Sequence, residues 1–200
     1  MLRRYIGTKE FYKSVMAVAV PIMIQNFITN FVGMLDNIMV GQVGTAQMSG
    51  VSIVNQILFV FYLCLFGATS GAGIFTAQFA GNRDSEGIRH TFRYKAAVSL
   101  VITAVGTAVF VFFGSGLIDR FLQGEDTAGE ADKYLAFGED YLRVMLIGLL
   151  PFAVSNIYSS TLRENGETVV PMAAGIAAVI VNLFLNWVLI FGNLGAPKLG

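Results

Sequence analysis

Charges along this chain are clustered, and the uncharged stretches between clusters are its strongest pattern. Positions 14–82 hold one charge in 69 residues, Asp36. Positions 96–118, 144–162 and 168–197 hold none in 23, 19 and 30 residues. About 20 apolar residues in a helix cross the hydrocarbon core of a bilayer. The first stretch is too long for one crossing and is interrupted by GQVGTAQMSG at 41–50, so it divides into two. Five spans follow, at about 14–39, 47–80, 95–117, 134–162 and 168–191. The runs lack the ~10-residue alternation of a transmembrane barrel. A soluble domain accommodates one such buried helix; five within one chain predict an all-α, polytopic membrane protein.

Composition agrees. Only 13% of residues are charged, against ~25% in soluble proteins, and 55% are hydrophobic. Such a chain neither stays disordered nor covers a soluble surface. Thirteen basic residues balance thirteen acidic ones, and no basic patch points to a nucleic-acid partner. The single Cys64 lies mid-span and supports neither a disulfide nor a thiolate metal site. The start, LRRYIGTKEFYKS and an apolar run, imitates a signal peptide. The run is too long and lacks a small-x-small exit before Asp36, so it reads as an uncleaved first helix.

The distribution of Lys and Arg sets an orientation. Arg3, Arg4, Lys9, Lys13, Arg83, Arg89, Arg93, Lys95 and Arg163 fall on one side, nine of the 13. The other side has Arg120, Lys133, Arg143 and Lys198, and its main loop is acidic. The N-terminus is therefore expected in the cytoplasm, with the chain in the cytoplasmic (inner) membrane. His90 and the pair Asp84/Glu86 read as water-facing loop residues. The chain is expected to end in an outer loop, GNLGAPKLG, ahead of a truncated sixth helix.

Asp36 is the one charged residue in the stretch 14–82. A carboxylate at membrane depth costs roughly 2.5–3.5 kcal/mol on insertion scales and marks a functional site by default. It lies 22 residues beyond Ser14, or ~33 Å of helix, so closing the helix at headgroup level is the alternative. Asn182 and Asn186, at i and i+4, share one face of the fifth span. Counted from Thr168 they lie at ~21 Å and ~27 Å, close to the level of Asp36. A carboxylate and two amides can hold a proton or a hard monovalent cation; interhelical hydrogen bonding is the plainer use, and both can hold at once. Gln25, Asn26 and Asn30 in the first span, and Asn55, Gln56 and Gln78 in the second, are candidate cavity-lining groups or helix contacts. The run Gly67–Gly73, GATSGAG, reads as close helix packing. Pro21 and Pro151 interrupt spans one and four, as kinks or hinges. No catalytic motif (HExxH, G-x-S-x-G, P-loop) occurs, and the chain is not expected to be an enzyme.

Three blocks, VPIMIQNFITNFVGMLDNIMVGQVGTAQMSGVSIVNQI, GATSGAGIFTAQFAGNRD and TLRENGETVVPM…IVNLFLNWVLIFGNLGAPKLG, together resemble the N-terminal part of a multidrug and toxin extrusion (MATE) transporter. The resemblance implies two six-helix lobes around a cavity that opens to alternate sides. This chain would supply five helices of the first, and the C-terminal lobe lies outside it. It implies antiport, with Na⁺ or H⁺ as coupling ion, no other cofactor, and drug-like, often cationic substrates. Matched residue by residue, it implies a cation or proton site of Asp36, Tyr141, Asn182 and Asn186, with Pro21 as a possible hinge. Some members carry Asp where this chain has Asn186, which leaves the coupling ion open. Two other readings remain. A lipid-linked flippase of related fold would call for cationic cavity residues, and the five spans hold no interior Lys or Arg. A structural membrane subunit would tolerate Ala at Asp36, Asn182 and Asn186.

Overall fold

The computed structural model describes residues 7–122 and 131–195, and all of its long elements are α-helices. They are α1 (Lys9–Val43), α2 (Thr45–Gly81), α3 (Ser85–Leu122), α4 (Ala131–Glu164) and α5 (Val169–Phe191), followed by a 3₁₀ turn at Asn193–Gly195. No strand occurs among the described residues. All five helices are long and apolar enough to cross a membrane.

Four of them outrun the expected spans, by one to ten residues at each end. Charged residues set the start of the first span and both limits of the third and fourth, and those residues remain helical. The uncharged GQVGTAQMSG segment is helical as well: Gly44 is the only non-helical residue between α1 and α2. The turn between α2 and α3 holds Arg83 at φ 56°. Asp84 then caps α3, its Oδ1 accepting from the backbone N–H of Glu86 (3.1 Å) and Gly87 (3.0 Å). That is the standard use of Asp at a helix start, so Asp84 has a structural task beyond facing water. At the end of α5, Gly192 adopts the left-handed conformation (φ 70°) and its N–H bonds the Val188 carbonyl, as a C-terminal glycine cap does.

The chain divides into two compact units, 1–36 with 165–200, and 37–164. The second unit packs α2, α3 and α4 together. Its buried positions on α2 recur at three- and four-residue spacing, from Gly50 through Ile53, Val54, Ile57, Leu58, Phe61 and Leu65. They meet Phe110, Ile118 and Leu122 of α3 and Leu142 and Leu149 of α4 in one apolar cluster. Glycines let the helices close: a Cβ on Gly50 would stand 2.9 Å from the Gly138 nitrogen and 3.0 Å from the Tyr134 carbonyl oxygen. Large apolar side chains also cover the outside, with Phe112 and Ile147 both 78% exposed. Helices apolar on every side belong in lipid, and this is a multi-pass membrane protein.

The first unit is built differently. It pairs the α1 segment with α5 through polar ties. Thr168 Oγ1 donates to the Ala17 carbonyl (3.5 Å). Gln25 Nε2 donates to the Pro171 carbonyl (3.3 Å), and Asn186 Nδ2 to Asp36 Oδ1 (2.7 Å). Partner numbers rise together, so the two helices run parallel. From 17 to 36 is 19 residues and from 168 to 186 is 18, so the two paths match to about one residue's rise, ~1.5 Å.

Candidate functional site

Asp36 sits seven residues before the end of α1. The helix runs on through it, so the acid does not serve as a helix terminus. Its carboxylate is half-buried and accepts the Asn186 amide at 2.7 Å. Asn186 Nδ2 also donates to Asn182 Oδ1, 3.3 Å away. The i,i+4 spacing on α5 thus works as a relay: Asn182 orients Asn186, and Asn186 holds Asp36.

An Asn side chain carries one donor group and one acceptor oxygen. As drawn, the Asn186 donor spans two oxygens, one anionic and one neutral. Rotating the Asn186 amide by half a turn presents its oxygen instead. Asp36, Asn182 and Asn186 then offer oxygens to a hard cation, the ligand type such ions prefer. With a proton on Asp36, the carboxyl becomes a donor and the same oxygen can accept it. The triad is chemically able to exchange an amide donor for a monovalent cation or a proton.

The other residues singled out in the sequence make contacts within their own units. Gln25 is engaged in the tie to Pro171 and lies against Gly175, where a Cβ would stand 2.7 Å from Nε2. In the second unit, Tyr141 Oη donates to Asn55 Oδ1 at 3.3 Å, joining α4 to α2. Gln56 lines an apolar groove of about 500 Å³ between α2 and α3, with Cys64, Val101 and Phe110. Pro21 lies inside α1. His90 is exposed within α3, 3.7 Å from Glu86.

One buried group escaped the sequence reading. Lys95 was expected in a water-facing loop, and the spans were expected to hold no interior Lys or Arg. Lys95 is instead 1% exposed, eleven residues into α3. Its Nζ pairs with Glu164, the last residue of α4, and lies 3.5 Å from Thr161 Oγ1. Glu164 in turn lies against Gly73 of α2, where a Cβ would displace its carboxylate. The charge is therefore matched, and Lys95 offers no spare cation to an anionic head group. Its signal was present: Thr91, Lys95, Ser99 and Thr103 recur every four residues, one continuous polar stripe on α3. Lys95, Ser99 and Thr103 are buried. Nearby, Thr76 bonds Thr91 (3.1 Å) and Thr69 lies 3.3 Å from Asn156 Oδ1.

The MatE family model matches residues 21–188. The chain is 28% identical over 193 residues to a probable multidrug resistance protein NorM of Thermotoga maritima, covering 96% of this chain and 40% of that protein. It is 27% identical to a probable NorM of Bacillus licheniformis, over 100% of this chain and 42% of the relative. A multidrug resistance protein PmpM of Pseudomonas aeruginosa is 24% identical over 100% of this chain and 40% of its own length. The chain thus spans about two fifths of the length of these curated relatives. Among solved structures, a MOP superfamily transporter from Pyrococcus furiosus Vc1 has the same fold, with TM-score 0.74 and 21% identity. The match covers 92% of this chain and 39% of that one.

Proposed function

From a chain that belongs to the MatE family, we propose that the protein is part of a cation-coupled antiporter that exports amphipathic, often cationic compounds. The relatives' names, multidrug resistance proteins NorM and PmpM, support the substrate class. The chain's own contribution is the coupling site, with Na⁺ or H⁺ bound at Asp36, Tyr141, Asn182 and Asn186.

The observation that carries the reading is the 2.7 Å bond between Asp36 and Asn186. It joins the one acid of a 69-residue stretch to an amide on a helix remote in sequence. Coupling then has a simple form. An ion shifts an equilibrium only by its differential affinity for the two states. The state shown here satisfies Asp36 with an amide donor; the ion-loaded state satisfies it with a cation or proton. Exchange between them links ion occupancy to the pairing of α1 with α5. The protein lies in the cytoplasmic membrane with its N-terminus inside. Removing buried Lys95 from the charge count leaves eight basic residues against four, and the bias keeps its sign.

The test is efflux of a fluorescent cationic dye by the full-length protein in vesicles under imposed Na⁺ or H⁺ gradients. Asp36→Asn is expected to insert normally and to lose gradient-driven efflux. Undiminished efflux by that variant would overturn the proposal.

A further inference from the structure

Pro21 has no backbone N–H, so the carbonyl of Ala17, four residues earlier in α1, loses its helical partner. In lipid no water replaces such a bond; a neighbouring group must. The Thr168 hydroxyl points at that oxygen from 3.5 Å, and Thr168 is 3% exposed. Thr168 is also the residue that caps the N-terminus of α5, where a threonine hydroxyl normally accepts an N–H of its own helix. Here it makes no such bond. The hydroxyl is turned away from its own helix and toward the gap left by the proline.

We propose that the Thr168 hydroxyl supplies the hydrogen bond that Pro21 removes from α1, and so acts as a positioning residue for the Asp36–Asn186 pair. Register links the two positions. Ala17 and Asp36 lie on one continuous helix, and Thr168 and Asn186 lie close to the two ends of another. Fixing 17 against 168 sets the height at which 36 meets 186. The Gln25 bond to Pro171, seated on Gly175, holds the same register midway. Thr168 touches no ion and acts only through the two helices. Its effect on coupling rests on the function proposed above; the bond itself does not.

The full-length protein tests both parts with four variants: Thr168→Val, Thr168→Ser, Pro21→Ala and the double variant Pro21→Ala/Thr168→Val. An alanine at 21 restores an N–H that Ala17 can use, so residue 168 should cease to matter. Thr168→Val is expected to lower the melting midpoint of the purified protein in the parent and to leave it unchanged in the Pro21→Ala background. Thr168→Ser, which keeps the hydroxyl, should match the parent. If Thr168→Val costs the same in both backgrounds, or if Thr168→Ser is as damaging as Thr168→Val, the assigned bond is wrong. The serine–valine comparison stands even if Pro21→Ala fails to fold. For the positioning role, the half-saturating concentration of the coupling ion should rise about threefold or more in Thr168→Val and return to the parent value in Thr168→Ser. An unchanged value alongside a lowered midpoint would overturn that role and leave the bond. Because the midpoint is read without transport, failure of the bond is distinguishable from failure of the proposed antiport.

Discussion

Replacing Glu164 with Ala strands the Lys95 ammonium. The Lys95 side chain is 0% exposed and that of Glu164 17%. With the carboxylate gone, Thr161 Oγ1 at 3.5 Å is the remaining partner. Breaking a buried pair from one side costs about 3–5 kcal/mol, because an uncompensated charge stays behind. The opposite change is milder. Lys95→Met leaves a carboxylate at the last residue of α4, where it already reaches the surface and can turn to water. Its cost should fall nearer the ~1–3 kcal/mol of an unsatisfied polar group. Removing both groups strands neither, so Lys95→Met/Glu164→Ala should be more stable than Glu164→Ala alone. The assay is the melting midpoint of the detergent-purified full-length protein, read by loss of the monodisperse peak after heating. The expected order is parent, then Lys95→Met with the double variant close to it, then Glu164→Ala. Equal costs for the two single variants, with an additive double, would refute the reasoning, since additivity means the groups do not interact.

Other changes follow from the same geometry. Gly50→Ala should cost ~1–3 kcal/mol by overpacking, because its Cβ would meet the backbone of α4 at 2.9 and 3.0 Å. Gly138→Ala, on the facing helix, should cost little, because its Cβ meets Ile118 side-chain carbons at 3.4 Å; paired melting curves read the difference. At the candidate cation site, Asn186→Leu should abolish ion-dependent efflux. Asn182→Ala should only raise the half-saturating ion concentration, since Asn182 reaches Asp36 through Asn186. Gly73→Ala should destabilise the protein because it displaces Glu164 from Lys95, an effect that disappears in a Lys95→Met/Glu164→Ala background.

What could be read in the sequence was what is local. Uncharged stretches reveal apolar helices because hydrocarbon excludes charge whatever the tertiary fold. The Asn182–Asn186 relay follows from helical spacing alone, and Asp36 stands out by isolation. The helix ends were not legible by charge, because charged residues such as Lys9, Glu86 and Glu164 continue a helix as readily as they end one. Lys95 was misplaced for the same reason: a lysine beside an arginine-rich turn looks solvated until its partner, 69 positions later, is seen against it. The Thr168–Ala17 tie joins residues 151 positions apart. Sequence revealed the need for it, at Pro21, without the donor that meets it.

The two units are held by different forces, and this bears on where a coupling site belongs. In the second unit, interlocked side chains and close glycines fix three helices, and rearranging them means repacking a dense interior. In the first, the described ties between α1 and α5 include hydrogen bonds at 2.7, 3.3 and 3.5 Å. Burial there is slight: among the described residues Val32 alone is buried in α1, and Pro171 alone in α5. Apolar surface released by such a pair is received by lipid at little cost, so the bonds carry the association. At ~0.6 kcal/mol each on average, and ~1.7 at most, three bonds amount to roughly 2–5 kcal/mol. A complete population swing needs ~5.5 kcal/mol of differential ligand affinity. On the proposed reading, one ion that replaces the Asn186 donor at Asp36 removes the shortest of the three ties and gains its own ligands in the same step. The α1–α5 pair is therefore the place in this chain where binding energy at a single site matches the energy that holds the helices.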